Sequence, residues 1–297
     1  MNTSAAPLPN SEYPALRVAM CQVYTEEWAV EANLRRTLES LHEAKRLGAD
    51  LAITPECVLH GYGSAGPETL QQRLNEAAES LDGPRLRRLR ECAKELGLDV
   101  IVGFAEKAET GRIYNSAAFL TREGEVLWVY RKVHCRPFES AEHQGAFTPG
   151  ERFCVSARHY GDHDFQIGAF ICFDREVTES ARCLRALGAE LIACPLATNT
   201  FDMAEPRNRA DNEMITRCRA AENEVFIVVV NHAGRFNGGS FAVGPQGELY
   251  AQLGTEPEVH VLDLPVGIAA QKFRREPLGW MGWGYRRPEV YSRYLNA

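Results

Sequence analysis

The side chains best suited to chemistry in this sequence are a cysteine, a glutamate and a lysine that follow three apolar runs. Cys172 directly follows the run that ends at Ile171, and Glu56 and Lys132 stand at the ends of two earlier runs. A thiol can attack a carbonyl carbon if a base removes its proton, and a carboxylate with a raised pKa can act as that base. A fixed ammonium group can stabilise the oxyanion that forms. These residue types therefore suit nucleophilic catalysis on an amide-type carbon.

Each of the three residues also has a simpler interpretation when it is considered alone. A cysteine after an apolar run is most often a buried core residue. Glu56 could be a solvated loop carboxylate, and Lys132, which follows Arg131, could be a surface charge. The repeated position at a strand end favours a functional site over three separate coincidences.

The segment around Cys172 predicts the local structure that would hold the nucleophile. Apolar residues in 165–171 indicate a strand, a helical pattern then runs to Gly188, and a second strand begins at Leu191. A parallel strand–turn–helix–strand unit of this kind presents its working residues at the carboxyl ends of its strands. We therefore expect Cys172 at such an end, where a helix N-terminus can lower the pKa of a thiol.

The rest of the chain repeats this alternation of strands and helices, which favours a layered α/β fold. If the strands that precede Glu56, Lys132 and Cys172 are neighbours, the three side chains converge on one edge of a sheet. The sequence contains no linker or repeat, so we expect one domain over 14–297 after a flexible tail at 1–13, and it includes an arginine- and aromatic-rich tail after 265. Further strands are predicted at 16–23, 50–54, 99–104, 114–120, 125–131, 153–159, 191–194, 225–230, 240–244, 249–253 and 259–264, and further helices at 31–47, 69–80, 84–96 and 206–223.

Composition argues against several classes of protein. The 297-residue chain has a net charge of -7, so it lacks the basic surface that nucleic-acid binding requires. Its apolar runs are much shorter than the roughly 20 residues of a membrane-spanning helix, and its start does not have the pattern of a signal peptide. The nine cysteines are odd in number, scattered and without a CxxC pair. We expect neither a metal site nor a disulfide framework, and a reducing cytoplasm fits best.

Several segments resemble, in order, the nitrilase or carbon-nitrogen hydrolase superfamily. They are TPECVLHGYG around Glu56, YRKVH around Lys132, FTPG at 147–150, ICFDREVTESARCLRALGAELIACP around Cys172, RAAEN at 219–223, VNHAG after Val230 and GPQGE at 244–248. The resemblance covers about 16–265. It implies a four-layer αββα sandwich whose subunits pair, so we expect a homodimer or a higher homo-oligomer.

The resemblance also implies roles for individual residues. Glu56 would be the general base and acid, Lys132 the oxyanion partner and Cys172 the nucleophile. The backbone N–H of Phe173 would help to hold the oxyanion. The family implies no cofactor for this chemistry, and the reaction would be a two-step acyl transfer through a thioester on the cysteine.

The resemblance also points to a second glutamate, and two candidates lie in the loop after the lysine. Glu142 fits the family spacing to the Pro-Gly pair better than Glu139 does, so Glu142 is the expected accessory catalytic residue. Arg175 is predicted to bind a substrate carboxylate, and the alternative for it is an ion pair with a glutamate of the following helix. Asn199 is a further substrate-binding candidate.

The residues after the cysteine also bear on the substrate. Phe173, Asp174 and Arg175 are closer to amidases and N-carbamoyl hydrolases than to nitrilases, which tend to have Trp-Glu there. We therefore expect a small amide or N-carbamoyl compound as substrate, with release of ammonia or an amine. Nitrile hydrolysis, acyl transfer by the same triad and a non-catalytic binding role remain alternatives. A protease-like Cys172–His134 dyad is a weaker alternative, because the surrounding residues do not fit one.

Overall fold

The computed structural model describes residues 13–64, 66–143, 145–198, 207–275 and 283–295. Its strands are β1 (Leu16–Gln22), β2 (Leu51–Ile53), β3 (Asp99–Lys107), β4 (Ile113–Leu120), β5 (Val126–Arg131), β6 (Val155–Tyr160), β7 (His163–Ala169), β8 (Leu191–Pro195), β9 (Phe226–Val230), β10 (Phe241–Val243), β11 (Leu249–Gln252) and β12 (Glu258–Leu264). Its helices are α1 (Val30–Arg46), α2 (Pro67–Ala77), α3 (Pro84–Leu96), α4 (Thr178–Ala186), α5 (Arg207–Asn223), α6 (Gly267–Arg275) and α7 (Pro288–Leu295).

The strands form two six-stranded sheets with related plans. The first has the order β12-β1-β2-β3-β4-β5, and the second has the order β11-β10-β9-β8-β7-β6. In each sheet three central strands run parallel, namely β1-β2-β3 and β7-β8-β9, and the outer strands pair antiparallel. Parallel strands need crossover connections, which the helices supply.

Side chains from the facing surfaces of the sheets form the largest core. Met20 and Phe119 of the first sheet belong to the same buried cluster as Ile167 and Val228 of the second. Helices α1 and α3 cover the outer face of the first sheet, while α4 and α5 pack on the second. The apolar residues of α1 recur at helical spacing, which gives this helix one buried stripe. The predicted αββα sandwich is confirmed.

The hairpins expected from the turn residues are also present. Strands β4 and β5, β6 and β7, and β10 and β11 each pair antiparallel across a short turn. The condition under which the three side chains would share one sheet edge, that their strands are neighbours, is not met. Strands β3 and β4 separate β2 from β5, and β7 belongs to the other sheet. The site therefore lies across the gap between the sheets.

The strand directions nevertheless bring the same ends together. Strand β5 is antiparallel to β4, which is antiparallel to β3, so β5 runs parallel to β2. The N–H of Glu56, after β2, bonds the carbonyl of Leu196, after β8, at 3.4 Å. The carboxyl ends of strands from both sheets thus meet at one end of the sandwich. Within the described ranges, no helix is long and apolar enough to cross a bilayer.

Candidate active site

Cys172 is presented by a tight turn directly after β7. It begins a short 3₁₀ turn, Cys172–Glu176, that precedes α4. Its φ of 46° lies in the left-handed region, which is rare for a residue with a side chain and costs about 1–3 kcal/mol. The residue is 6% exposed and lines a cavity of about 430 Å³ between the sheet ends. Backbone strain is therefore associated with the placement of the thiol at this cavity.

A buried lysine between two carboxylates lies at the same end of the sandwich. Lys132 Nζ lies 2.9 Å from Glu56 Oε1, and 2.7 and 2.9 Å from the two oxygens of Glu139. All three residues are less than 5% exposed. An ion cluster this deep is stable only if its charges are paired and hydrogen-bonded. The structure thus brings Glu56 and Lys132 into direct contact, as the sequence predicts.

The second carboxylate corrects one expectation. Glu139, and not Glu142, contacts the lysine, whereas Glu142 is exposed. The reason is the tight turn in which the N–H groups of Glu139 and Ser140 both bond the carbonyl of Arg136. This turn folds Glu139 back towards β5, while residues 141–143 are exposed. Spacing along a loop could not reveal it.

Two further side chains, which the sequence did not single out, complete the cluster. Asn115 of β4 donates to Glu56 Oε1 at 2.7 Å, and the Tyr62 hydroxyl donates to Glu139 Oε1 at 2.6 Å. The motif around Glu56 contains Tyr62, but no signal in the sequence points to Asn115. Among the described residues, the second oxygen of Glu56, Oε2, has no hydrogen-bond partner although it is buried. An unpaired buried carboxylate oxygen is costly in a folded protein, so this one is available for a substrate or a transferred proton.

The two carboxylates differ in acidity. Burial raises the pKa of Glu56, and the nearby charge of Glu139 raises it further, against the opposing effect of Lys132. Burial also acts to raise the pKa of Glu139, but the charge of Lys132 and the hydrogen bonds of Lys132 and Tyr62 hold that pKa below its usual value. Glu139 therefore remains ionised beside the ammonium group, while Glu56 is the carboxylate suited to gain and lose a proton.

The Cys172 thiol is not a preformed thiolate. Burial raises its pKa to about 12, and the charge of Glu56 adds to this increase, which Lys132 and Arg175 only partly offset. The lowering of the thiol pKa that a helix start can give is therefore not found, because burial has the largest effect on this thiol. The thiol must lose its proton to a base during attack rather than before it. Glu56 is the candidate for that base, because its pKa is raised and its charge acts on the thiol.

Asp174 joins the nucleophile turn to the lysine strand. Its Oδ2 accepts hydrogen bonds from the Tyr130 hydroxyl at 2.6 Å and from the N–H of Ile171 at 3.1 Å. Its Oδ1 lies 2.8 Å from the N–H of His134 and 2.9 Å from that residue's Nδ1. The aspartate is fully buried and connects the two sheets. The imidazole of His134 is thus directed to Asp174, which argues against its use as a base for Cys172.

His232, at the end of β9, supports Glu56 from the second sheet. Its Nε2 lies 2.7 Å from the backbone oxygen of Glu56, and its Nδ1 lies 2.7 Å from the Thr25 hydroxyl. Burial lowers the pKa of His232 to about 3, so the ring is neutral. Since a carbonyl oxygen can only accept, Nε2 carries the proton and Nδ1 accepts from Thr25. This contact fixes the backbone at the base.

The remaining predicted site residues are placed differently. Arg175 is fully buried and donates from Nη2 to Asn212 of α5, so it neither lines the cavity nor pairs with a helix glutamate. The turn after Cys172 directs it beneath the site rather than into it. Phe173 is the second residue of the turn, where N–H groups have no acceptor within a helix. Asn199 lies outside the described residues. In the described ranges, no cluster of three His, Cys, Asp or Glu side chains could hold a metal ion.

Comparison with known proteins identifies relatives that share most of this chain. An (R)-stereoselective amidase from Pseudomonas sp. is 32% identical over 84% of this chain and 85% of its own. The omega-amidase of Xenopus tropicalis is 28% identical over 88% of this chain and 91% of its own. The N-carbamoylputrescine amidase of Solanum tuberosum is 28% identical over 90% of this chain and 91% of its own.

Solved structures agree with these relatives. A mutant of the amidase from Nesterenkonia sp. AN1 superposes with a TM-score of 0.76 and 26% identity, over 98% of this chain and 100% of its own. That structure shows covalent addition of the acetamide moiety of fluoroacetamide at the active-site cysteine. The model of the carbon-nitrogen hydrolase family matches residues 17–272. This chain therefore belongs to the carbon-nitrogen hydrolase family.

Proposed function

We propose that this protein hydrolyses the C–N bond of a small amide or N-carbamoyl compound through a thioester on Cys172. The observation that carries the proposal is the buried cluster of Glu56 and Lys132, whose charges act on the thiol, together with the free oxygen of Glu56. A nucleophile at a cavity, with a base and a fixed cation whose charges act on it, provides the parts that acyl transfer requires. The amidase relatives support the same reaction class.

In the first half-reaction, the Cys172 sulfur bonds the amide carbon while its proton passes to Glu56. The carbonyl oxygen becomes an oxyanion, which the ammonium of Lys132 and the N–H of Phe173 stabilise. The C–N bond then breaks as Glu56 returns the proton to the departing nitrogen. Ammonia or an amine leaves, and the acyl group remains on the sulfur as a thioester.

In the second half-reaction, Glu56 removes a proton from water, whose oxygen attacks the thioester carbon. The same two groups stabilise the second oxyanion. The C–S bond breaks, the sulfur regains a proton from Glu56, and the acid is released. Glu139 takes no proton in this cycle. Its role is to keep Lys132 charged and oriented. Without Glu139, the ammonium group would pair with Glu56 alone.

The test is ammonia release from a panel of small amides by wild type, Cys172→Ala and Cys194→Ala. Cys194 in β8 is the matched control, because it is also buried and burial also raises its pKa to about 12. We expect Cys172→Ala to abolish turnover and Cys194→Ala to retain it in the folded protein. Substantial turnover by folded Cys172→Ala would contradict the proposal.

Three broader expectations accompany this function. We propose a homodimer or higher oligomer, a cytoplasmic location and a single hydrolase domain over 14–297. Exposed Leu187, after α4, and Met214, on α5, support pairing through these helices, since both are more than half exposed in the single chain. The nine unpaired cysteines support a reducing compartment. Light scattering that gives a monomer at micromolar concentration would contradict the first of these.

A further inference from the structure

The cavity at Cys172 carries two guanidinium groups that the proposed reaction does not use. Arg136, in the loop after Lys132, and Arg235, in the turn after β9, both line the cavity. They come from different sheets, and both side chains are 42% exposed. Two cations therefore face one cavity of about 430 Å³.

The carboxylates that pair with these arginines lie behind them. Arg136 Nη2 donates to Glu176 Oε1 at 3.0 Å, and Arg235 Nη1 donates to a Glu27 carboxylate oxygen. Neither glutamate lines the cavity. Each pair engages one terminal nitrogen, which leaves a second edge of the planar guanidinium for a ligand. The ion pairs thus hold the arginines in place and leave some of their N–H groups free to donate to a ligand.

Aromatic rings hold both guanidiniums in fixed planes. Arg136 lies over the Phe173 ring at 4.5 Å, and Arg235 lies over the Phe236 ring at 4.9 Å. The Arg235 Nη1 also donates to the carbonyl of Tyr62 at 3.1 Å. A pre-ordered guanidinium loses less freedom when it binds an anion, and its fork matches a carboxylate.

The rest of the described wall is largely apolar, and its one anion is already paired. Glu139 is the one carboxylate on it, and that residue is bonded to Lys132 and Tyr62. Leu74, Phe138 and Phe147 supply apolar surface to the same wall. The described cavity therefore combines the Cys172 thiol, apolar surface and two guanidinium groups.

We propose that the substrate is a small amide that carries a carboxylate at the end remote from the scissile bond. The carboxylate binds Arg136 and Arg235, the carbon chain lies on the apolar wall, and the amide reaches Cys172. This inference rests on the proposed function and narrows its substrate class. Arg136 and Arg235 thus take the role of binding the substrate carboxylate that was predicted from the sequence for Arg175, which is buried beneath the site. An amide with a remote ammonium group would meet two like charges and is rejected.

The experiment compares three amides of equal chain length: glutaramate, which is anionic, pentanamide, which is neutral, and 5-aminopentanamide, which is cationic. The measured quantity is the ratio of kcat/KM between each charged amide and pentanamide. We expect wild type to favour glutaramate by about tenfold or more and to disfavour the cation, since a charged hydrogen bond contributes at least that factor. In Arg136→Gln/Arg235→Gln, the ratio should fall towards one, with the change mainly in KM.

Arg217→Gln is the matched control. Arg217 is 47% exposed and pairs with Glu213, but it lies on α5 away from this cavity. Its substitution should leave the glutaramate-to-pentanamide ratio unchanged. A ratio near one in wild type, or one that the double variant does not alter, would overturn the inference.

A direct binding measurement separates this inference from the proposed function and does not depend on folding of the double variant. Calorimetric titration of Cys172→Ala with glutaramate and with pentanamide should show tighter binding of the anion by about tenfold or more. Equal affinities would overturn the inference, even if wild type hydrolyses both amides through Cys172. Tighter binding of glutaramate without ammonia release by wild type would uphold it and refute the proposed function instead.

Discussion

The two ends of this sandwich each contain a buried ion cluster, but only one cluster is complete. At the end opposite the cavity, Arg158 of β6 donates to both oxygens of Asp99 at 2.8 and 2.9 Å, and the N–H of Arg122 also bonds Asp99 at 2.6 Å. A third contact joins Arg158 to Glu123. At the cavity end, Lys132 pairs with two carboxylates, and Glu56 Oε2 has no partner in the described structure.

The difference separates a structural cluster from a functional one. Asp99 and Arg158 join the two sheets and satisfy the aspartate's oxygens with protein donors, so this cluster needs nothing from outside. The Glu56 cluster also joins the sheets, through His232 and Leu196, but it leaves Glu56 Oε2 without a partner, and the charge of Glu56 acts on the Cys172 thiol. A buried polar group without a partner is rare and costly in a folded protein, so this one calls for an explanation. The predictions below test this assignment.

The largest expected effect is on activity and comes from the cluster of Glu56, Lys132 and Glu139, which is called the open cluster because Glu56 Oε2 has no partner in the described structure. Glu56→Gln should lower kcat/KM by about 10²–10⁴-fold, because the amide cannot accept the thiol proton. The folded protein should keep most of its stability, since the amide still bonds Lys132 through its oxygen. Steady-state kinetics and thermal unfolding of one preparation give both values. A variant that loses stability but retains kcat/KM would reverse the assignment of the cluster.

The cluster of Asp99 and Arg158, called the closed cluster, should show the opposite result: a loss of stability with little loss of activity. Asp99→Asn should lower the free energy of unfolding by about 3 kcal/mol, because Arg158 then lacks its buried partner charge. Activity per folded molecule should change less than twofold, since the site lies at the other end of the sheets. Urea unfolding and kinetics with a folded-fraction correction test this. A large loss of kcat without a change in stability would count against the comparison.

A finer test uses the two glutamates of the loop after Lys132. Glu139→Gln should lower kcat/KM by about 10²-fold, because the ammonium loses its ionised partner and shifts from its position. Glu142→Gln is the matched control in the same loop, and its exposed side chain should make it nearly neutral. Kinetics of both variants on one substrate decide the matter. An equal loss of kcat/KM in both variants would mean that the turn at 136–140 does not determine which of the two glutamates supports Lys132.

The pH dependence of kcat/KM tests the proton assignments at the open cluster. Glu56 must be ionised to accept the thiol proton, and its pKa is raised above the ordinary 4.5. Activity should therefore fall as pH decreases through that raised pKa. No alkaline loss should occur up to about pH 10, because the thiol pKa is about 12. A rise in kcat/KM between pH 8 and 9 would indicate titration to a thiolate and contradict the concerted transfer.

The smallest effect concerns the histidine behind Glu56. The pKa of His232 is lowered from 6.5 to about 3, so between these values the unfolded chain binds a proton that the folded chain does not. Stability is lost as pH falls through this window, by about 1.4 kcal/mol per unit for one group. His232→Gln should reduce the slope of unfolding free energy between pH 4 and 6 by about that amount. His260→Gln, at a partly exposed position on β12, is the control for the effect of a His→Gln substitution itself.

Local sequence patterns predict much of this architecture. Alternating apolar runs and turn residues predict a layered α/β fold, the family resemblance implies its two sheets, and the strand-end positions of Glu56, Lys132 and Cys172 point to the site. Local periodicity does not determine which strands are neighbours, because β3 and β4 separate β2 from β5 only through long-range pairing. For this reason the candidate site lies in the gap between two sheets and not at the edge of one.

The less predictable parts depend on how loops fold. The turn that selects Glu139 over Glu142 is set by two hydrogen bonds to one carbonyl, which no spacing rule describes. Arg175 follows the nucleophile closely in sequence, but the turn directs it towards Asn212 of α5. The raised pKa of Cys172 reflects burial, which depends on packing from both sheets. Charge and proximity in sequence therefore identify candidates, and tertiary burial decides their roles.

The central claim is that the open cluster activates Cys172 for covalent catalysis. Rapid-quench mass spectrometry of the protein during turnover of a small amide tests it most directly. The account predicts an acyl adduct on the peptide that contains Cys172, formed at the rate of ammonia release and absent in Glu56→Gln on the same timescale. Turnover without any adduct on that peptide, or an adduct that forms equally fast in Glu56→Gln, would contradict it.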